Sequence, residues 1–399
     1  MERLELTKDI TTKRVLRNWK IRDTFDLGLI SSAHGMSDGF ANLMVPVLVM
    51  IVAEFSLSPI QSGMLIGSLS LSVMLFQYPL SIYSDFSGKR KPILLAGMFL
   101  ATMSFLCVGL VSSFHFLLLL TFLAGAGNSV YHPCGTSMVA KRFEENRAFA
   151  ISVHGLGGNV GMGILPILLT FFAAYLGWRS AVVICVFPTL IFLFLIYHRF
   201  SDVVDKRSVE NQKVKVILRD VFRNNKVVIL AIAYMLRGMC TKGTVGFFPL
   251  IAASRNVDIS LIGVAISIHF ILGAITKPIM GYLYDRLGAK FALMVPFFIT
   301  GVLVFAIPFT RSTIELLTVF ALVGAFSHVS PIILTATADF ADKNVLTSSV
   351  GFIYTCHGLN FLSPLIGGVI ANEVGIDASY FFYSFSALLG LWFVLKMEK

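Results

Sequence analysis

The chain has 399 residues, of which 56% are hydrophobic and 14% charged, and its 32 Lys and Arg exceed its 22 Asp and Glu by a formal net charge of +10. Soluble domains contain about 25% charged residues, so this composition excludes a soluble enzyme and a soluble nucleic-acid-binding protein. A membrane-crossing helix takes roughly 20 apolar residues, and the apolar runs here are long and do not alternate with polar residues, which excludes a porin-type barrel.

The apolar runs, in chain order, predict an all-α polytopic membrane protein of twelve transmembrane helices in two pseudo-symmetric six-helix halves. Residues 1–24 are charged and lack the apolar core of a secretory signal, so we expect a cytoplasmic N-terminal segment. The N-terminal half follows over 25–198, a cytoplasmic central loop over 199–226, and the C-terminal half over 227–399. The predicted helices span 25–53, 59–83, 92–112, 114–140, 148–174, 179–198, 227–252, 258–284, 291–309, 313–338, 346–371 and 377–396.

The Lys and Arg residues lie almost entirely on one side of the predicted membrane. With the N-terminus inside, only Arg179, Arg255 and Arg311 fall in outer loops. Cytoplasmic loops carry the excess of Lys and Arg, so this asymmetry predicts a multi-pass inner-membrane protein with both termini in the cytoplasm. The five cysteines fall inside apolar runs, and we expect packing residues there rather than disulfides or metal ligands.

The first predicted helix contains His34 and Asp38, four residues apart and therefore on one helix face. Ionisable side chains at membrane depth are costly and usually mark a pathway or relay. Asp38 is the one acidic residue well inside a predicted helix, so we predict that it carries protons, with His34 beside it. The alternative is that Asp38 pairs permanently with Arg237 or Lys242 and holds the two halves together.

The loops after the second and eighth predicted helices share an Asp, a Gly three residues later and neighbouring cations. A tight turn at the Gly, and an Asp able to pair with a helix end of the other half, would lock a cytoplasmic gate. The alternative is that the cations only follow the positive-inside rule. The gating candidates are Asp85, Gly88, Lys89, Arg90, Asp285, Arg286 and Gly288.

These two loops resemble the helix 2–3 signature of the major facilitator superfamily, although Ser81 and Phe86 depart from its pattern in the first copy. The resemblance implies the fold of that superfamily, with the substrate bound between the halves. The halves also repeat each other at an offset of 203 residues, because 34–46 aligns with 237–249 and His154-Gly155-Leu156 with His357-Gly358-Leu359. Such duplication is typical of secondary transporters.

Several stretches of the first half resemble the fosmidomycin resistance protein family of efflux carriers. They are Ala33-His34 with Asp38, Glu54-Phe55-Ser56-Leu57-Ser58 with Gly63, GAGNSVYHP at 125–133, and Gly157-Gly158-Asn159. The resemblance implies proton-driven export of a small, polar or anionic compound. After His132-Pro133 that family tends to have an acidic residue where this chain has Cys134, so any proton carried there in relatives must be carried here by another group.

The fourth and fifth predicted helices carry special backbone signals. Pro133 predicts a broken fourth helix that exposes backbone carbonyls. The glycines between Gly155 and Gly163 make the fifth helix thin on one side, so that another helix can pack closely.

The seventh predicted helix contains Arg237 and Lys242 next to Gly238 and Gly243, where a ligand could approach the backbone. An Arg fork suits a carboxylate or phosphonate, so the cavity is expected to prefer an anion. For Lys277, snorkelling to the cytoplasmic surface competes with ligand binding, and for each His a hydrogen bond to a neighbouring helix is the alternative. The predicted substrate-binding residues are Asn42, His132, His154, Arg237, Lys242, His328 and His357.

The sequence therefore predicts a monomeric, proton-coupled secondary transporter that exports a small anionic or polar organic compound by antiport. Import of an organic anion is the first alternative, and a non-transporting receptor of the same fold is the second. The expected partners are a small-molecule substrate, protons and the lipid bilayer. No enzymatic activity, cofactor, metal or nucleic acid is expected.

Overall fold

The structure, a computed structural model, describes residues 19–201, 221–341 and 346–397. Within these ranges every regular element is helical, as predicted. The helices are α1 Ile21–Phe40, α2 Leu48–Phe55, α3 Pro59–Ser87, α4 Arg90–Val108, α5 Phe114–Asn128, α6 Tyr131–Arg142, α7 Arg147–Val186, α8 Pro188–Arg199, α9 Asn225–Ser254, α10 Ile259–Ala306, α11 Thr313–Ser327, α12 Ser330–Phe340, α13 Leu346–Gly358, α14 Leu362–Glu373 and α15 Ile376–Leu395. We call the described residues before 202 the N-half and those from 221 onwards the C-half. Most of the predicted cytoplasmic segments 1–24 and 199–226 lie outside the described residues, and the domain division stays a prediction.

Nine stretches of the described chain are long and apolar enough to cross a membrane. Two of them, Phe149–Arg199 and Ile259–Phe309, have 51 residues each, or about 76 Å of helix against a hydrocarbon core of about 30 Å. Each of the two bends at a glycine with positive φ, Gly177 at 78° and Gly288 at 79°. The multi-pass helical fold is therefore confirmed, whereas the number of twelve spans stays a prediction.

Four predicted helices, 25–53, 114–140, 313–338 and 346–371, are interrupted rather than continuous. Only the interruption before Pro133 was predicted. Each interruption begins near the residue four positions before a proline. The proline ring clashes with the carbonyl of that residue and provides no N–H to bond it. These pairs are Asn42 with Pro46, Ser129 with Pro133, Ser327 with Pro331, and Asn360 with Pro364. Five other prolines lie inside helices that stay continuous, so a proline permits an interruption without imposing it.

The two halves meet at one end of the molecule, through α3 with α14 and through α7 with α10. The helices are in close contact there, since a Cβ at Gly63 would collide with the backbone of Pro364 and one at Gly263 with the side chain of Thr170. Towards the opposite end, Gly155 of α7 and Gly281 of α10 have open space where a Cβ would point. The halves therefore close at the end predicted to be external and part at the end predicted to be cytoplasmic.

Substitution of Gly63 by Ala is expected to shift the protein away from this conformation. The added methyl group has no room against Pro364, and the helices can relieve the clash by parting. Gly155→Ala is the matched control, because its methyl group meets nothing and Ala stabilises a helix by about 1 kcal/mol over Gly. The measurement is the rate at which a thiol reagent labels a cysteine introduced beside Pro59. We expect faster labelling in Gly63→Ala than in Gly155→Ala, and equal rates in the two variants would contradict the prediction.

Candidate functional site

The N-half contains a buried cluster around Asp38. The carboxylate lies 3.5 Å from His34 Nε2 on α1 and 3.2 Å from His132 Nε2 on α6. His34 Nδ1 donates to the carbonyl of His154 on α7 at 2.7 Å, since a carbonyl only accepts. The His34 ring also stacks on that of His154, with centroids 4.2 Å apart. The cluster joins three helices and confirms that His34 and Asp38 share a face.

Access to this cluster differs sharply between its members. His34 is 7% exposed, whereas the His132 side chain is 51% exposed. Water therefore reaches Asp38 past His132 and not past His34. The ligand atoms of His34, Asp38 and His132 lie within 4.8 Å of one another, close enough to hold a metal ion.

Glycines of α7 make room for the Asp38 carboxylate. A Cβ at Gly158 would collide with Asp38 Oδ2, and one at Gly161 would collide with the backbone of Gly35 on α1. The two helices consequently pack backbone to backbone beside the cluster. This confirms the close packing predicted from the glycine run, with Gly155 as an exception because nothing lies against it.

The interruption after α1 provides a polar contact between the halves. Lys242 on α9 donates to the Ala41 carbonyl and to Asn42 Oδ1, both at 3.2 Å. The Ala41 carbonyl is free to accept because Val45, four residues later, donates to Asn42 instead. Lys242 thus takes over a hydrogen bond that a continuous helix would have made internally.

Arg237, one turn and a half before Lys242 on α9, also donates to a carbonyl beside a helix interruption, here within the C-half. It is 1% exposed, and its Nη2 donates to Thr300 Oγ1 at 2.7 Å and to the Phe326 carbonyl at the end of α11. Its Nε and Nη1 are buried without a hydrogen-bond partner in the described chain. Neither Arg237 nor Lys242 pairs with Asp38 here, so the structure does not contain the permanent inter-half ion pair considered as an alternative.

Both of these cations line a cavity of about 230 Å³, which we call the central cavity; the C-half forms almost all of its wall, and Asn42 is its one lining residue from the described N-half. Three histidines also reach it, namely His269 on α10, His328 just after α11, and His357 on α13. None of the described residues that line it is a carboxylate. The lining therefore presents fixed positive charge and neutral hydrogen-bonding groups.

The two glycines of α9 differ in their access to a ligand. Gly238 lines the cavity, as the predicted ligand approach requires, although the His357 ring also lies against it. Gly243 is not in the lining, because Tyr383 packs against it. The His357 and Tyr234 rings are in contact, with centroids 4.0 Å apart and an interplanar angle of 31°.

The predicted substrate-binding residues separate into two groups. Five of them, Asn42, Arg237, Lys242, His328 and His357, line the central cavity. His132 and His154 lie with Asp38 instead. His269 was not predicted as a ligand, and its single sequence signal is an intramembrane His on a helix that borders the cavity.

Lys277 on α10 reaches across to the N-half instead of snorkelling to the surface. Its Nζ donates to Asn159 Oδ1 on α7 at 2.6 Å. Asn159 follows Gly158, against which Asp38 lies, so this contact joins the C-half to the edge of the Asp38 cluster. The contact of Lys277 with the N-half is not predicted from the sequence. Its partner Asn159 does lie in a stretch that the sequence singles out, Gly157-Gly158-Asn159.

Replacement of Lys277 by Met, or of Asn159 by Leu, removes the hydrogen bond between the halves. Each is expected to lower the free energy of unfolding by about 1.5–3 kcal/mol, the value of one hydrogen bond to a charged group. The double variant should lose no more than either single variant, since both remove the same bond. Thermal unfolding of the four proteins measures the coupling. Additive losses would show that the two side chains act independently.

The predicted gating residues have mixed placements. Gly88 and Gly288 have positive φ of 65° and 79°, as tight turns require. Asp285 and Arg286 are exposed, and Arg286 lies over Tyr282 of its own helix. Lys89 is exposed at the turn before α4. Asp85 ends α3, and its side chain is outside the described residues.

Arg90, the remaining gating candidate, is only 5% exposed and points into the N-half rather than towards the C-half. It lines a pocket between the ends of α1, α4, α6 and α8. A direct role in closing the cytoplasmic side against the other half is thus not supported by its position in this conformation.

Comparison with known proteins agrees with this geometry. The model of the Major Facilitator Superfamily matches residues 27–359 and 230–399. An uncharacterized MFS-type transporter of Methanocaldococcus jannaschii is 23% identical over 367 residues, covering 89% of this chain and 94% of the relative. The fosmidomycin resistance protein of Escherichia coli is 25% identical over 391 residues, covering 93% of each. A bacterial homolog of the human lysosomal transporter Spinster, solved in an inward-facing and occupied conformation, superposes with a TM-score of 0.78 at 16% identity over 95% of this chain and 97% of that one.

Proposed function

This chain belongs to the major facilitator superfamily, and from that premise we propose that it is a proton-coupled antiporter that exports a small organic anion by alternating access. The family consists of membrane transporters, so the chain is a multi-pass membrane protein and not an enzyme. Substrate class, coupling ion and direction are the proposed parts.

The observation that supports an anionic substrate is the charge of the central cavity. Arg237 and Lys242 line it, and the described lining contains no carboxylate. A buried cation, Arg237, and a half-buried one, Lys242, are costly without a counter-ion in a low dielectric, and an anionic ligand removes that cost. The buried Nε and Nη1 of Arg237 have no hydrogen-bond partner in the described chain, so the guanidinium is incompletely compensated and a nearby anion would stabilise it.

Proton coupling is assigned to Asp38 with His34 and His132. The cluster lies outside the cavity lining, so a proton and an anion can occupy separate places. Two contacts connect them, since Asn42 follows Asp38 by one helical turn and binds Lys242, and Lys277 binds Asn159 beside the cluster. A charge change at Asp38 can therefore alter how the halves hold together.

Alternating access is supported by the unequal ends of the molecule. The halves pack closely at Gly63 and Gly263 and part at the other end, which leaves Asp285 and Arg286 exposed. In the opposite conformation the loops at Gly88 and Gly288 would approach the other half and close the cytoplasmic side. The gate residues act in that second state.

Export is preferred to import because of the resemblance to the fosmidomycin resistance protein, whose name denotes drug resistance. Import by symport would use the same residues, so direction rests on this likeness. We further propose that the protein acts as a monomer in the inner membrane, with both termini in the cytoplasm, as the distribution of Lys and Arg indicates.

The proposal is tested with purified protein in liposomes under an imposed pH gradient. Small organic anions, zwitterions and cations are offered in turn, and uptake is measured with and without a protonophore. We expect anions alone to be transported and the protonophore to abolish their accumulation. Transport of cations only, or no pH-driven movement of any compound, would contradict the proposal.

A further inference from the structure

The Asp38 cluster presents three metal-binding side chains at the spacing of a coordination site. His34 Nε2 and His132 Nε2 lie 3.5 and 3.2 Å from oxygens of the Asp38 carboxylate, and the three ligand atoms are all within 4.8 Å of one another. Nitrogen and oxygen ligands of a tetrahedral Zn²⁺ lie about 3.4 Å apart. The three side chains therefore need little movement to bind one ion.

The tautomer of His34 leaves its inner nitrogen available as a ligand. Nδ1 donates its proton to the His154 carbonyl at 2.7 Å, so Nε2 of the neutral ring carries a lone pair. That atom is buried without a hydrogen-bond partner in the described chain, and it faces a carboxylate oxygen of Asp38, which is also an acceptor. Metal-binding His residues usually donate their other N–H to a carbonyl or carboxylate in this way. A cation between the two acceptors would stabilise both.

Packing against α7 holds the two ligands of α1 in place. A Cβ at Gly158 would collide with Asp38 Oδ2 and would lie 3.1 Å from His34 Cε1, so both side chains rest on bare backbone. The His154 ring covers the face of the His34 ring. Ligands that are already fixed lose little conformational freedom when an ion binds.

The third ligand leaves the site open on one side. His132 on α6 is half-exposed, whereas His34 is buried. An ion can therefore enter past His132, and water can take the coordination position that the protein does not fill. No metal site is expected from the sequence, because His132 joins His34 and Asp38 only through the packing of α6 on α1.

We propose that His34 Nε2, the Asp38 carboxylate and His132 Nε2 form a binding site for a divalent transition metal ion, best matched by Zn²⁺. Imidazole together with carboxylate suits Zn²⁺ and its neighbours in the first transition row, whereas Mg²⁺ and Ca²⁺ take oxygen ligands. A proton on Nε2 would serve His34 and Asp38 alone, but a metal ion uses all three groups. The bound ion would join α6 to α1.

A metal ion at this position would occupy the carboxylate that is proposed to carry protons. Bound Zn²⁺ should therefore inhibit pH-driven transport, and this consequence, unlike the site itself, rests on the proposed function. Binding is for that reason measured in detergent, without a substrate or a pH gradient. Stoichiometric binding of Zn²⁺ that leaves pH-driven uptake unchanged would support the metal site and contradict the coupling role of Asp38.

The experiment uses the full chain without a histidine tag, with Zn²⁺, Co²⁺ and Mg²⁺ as separate probes. Isothermal titration calorimetry gives the stoichiometry and affinity for Zn²⁺, and the absorption spectrum of bound Co²⁺ reports its ligands. Variants His132→Gln and Asp38→Asn each remove one ligand, the first from the exposed side of the site. His115→Gln is the matched control, since His115 is an exposed His outside the cluster.

We expect one Zn²⁺ per chain, a four-coordinate Co²⁺ spectrum without the near-ultraviolet band of thiolate ligands, and no binding of Mg²⁺. Each ligand variant should weaken Zn²⁺ binding by at least about tenfold, the lower end of the loss seen when a hydrogen-bond partner of a metal ligand is removed. His115→Gln should bind Zn²⁺ as wild type does. Absence of stoichiometric binding, a thiolate band, wild-type affinity in both ligand variants, or an equal loss in His115→Gln would overturn the site.

Discussion

Replacement of Asp38 by Asn is expected to abolish pH-driven transport while exchange of the anion across the membrane continues. Asn keeps the shape of the side chain and its hydrogen bonds but cannot release a proton, so a transport cycle that requires a charge change at this position loses its coupling. His34 and His132 remain in place, 3.5 and 3.2 Å from the former carboxylate oxygens. The change in unfolding free energy should therefore stay near 1 kcal/mol, the value of one hydrogen bond.

The measurement for Asp38→Asn is counterflow of labelled anion with no pH gradient, beside uptake with a gradient. Asp377→Asn is the matched control, because it removes an exposed carboxylate that pairs with Arg255. This carboxylate is far from the Asp38 cluster. Coupled uptake should persist in the control. Gradient-driven accumulation in Asp38→Asn at the wild-type rate would show that the proton travels elsewhere.

Replacement of Lys242 by Met is expected to weaken anion binding by roughly 10- to 150-fold. The substitution removes a charge from the cavity wall, and a hydrogen bond to a charged group contributes about 1.5–3 kcal/mol. Met has nearly the same length and keeps the apolar contacts of the stem. The variant also releases the Ala41 carbonyl and Asn42, so the inter-half contact is lost together with the ligand contact.

The control for Lys242→Met is Lys226→Met, which removes a cation from the first turn of the same helix, where it lies over the Phe340 ring. Equilibrium binding of whichever anion the transport panel identifies is the measurement. Lys226→Met should bind that anion as wild type does. Equal loss in both variants would mean that the net charge of the protein, rather than Lys242, controls affinity.

Local spacing in the sequence was sufficient to predict the Asp38 cluster in part. Four residues along a helix place His34 and Asp38 on one face, and the structure confirms that pair. The approach of His132 and His154 could not be predicted, because it depends on how α6 and α7 pack on α1. The glycine run of α7 indicated close packing of some helix, but not which side chain would occupy the space.

The interrupted helices each have a proline that could have indicated the interruption from the sequence. Pro133 was interpreted as a helix break, while Pro46 and Pro331 were not, although all three act on the carbonyl four residues earlier. Five prolines leave their helices continuous, so the proline is not sufficient. The cations of α9 bind the carbonyls of Ala41 and Phe326, each one residue before the carbonyl on which the proline acts, and that tertiary partner cannot be recognised from a local sequence pattern.

The gate residues show a different limit. Their two-fold repetition predicted tight turns, which Gly88 and Gly288 make, but it carries no information on which conformation is populated. In the conformation described here the halves part at that end. Lys277 was misjudged for a related reason, because the length of its side chain permits either snorkelling or a cross-half bond, and only the packing of α7 on α10 decides between them.

Coupled movement of anion and proton through separate sites of one protein can be observed by recording anion flux and internal pH together in liposomes. In wild-type protein we expect a fixed ratio of protons to anions moving in opposite directions, and in Asp38→Asn we expect anion exchange with no proton movement. Anion transport by the wild type without any change in internal pH, or an unchanged ratio in Asp38→Asn, would contradict it.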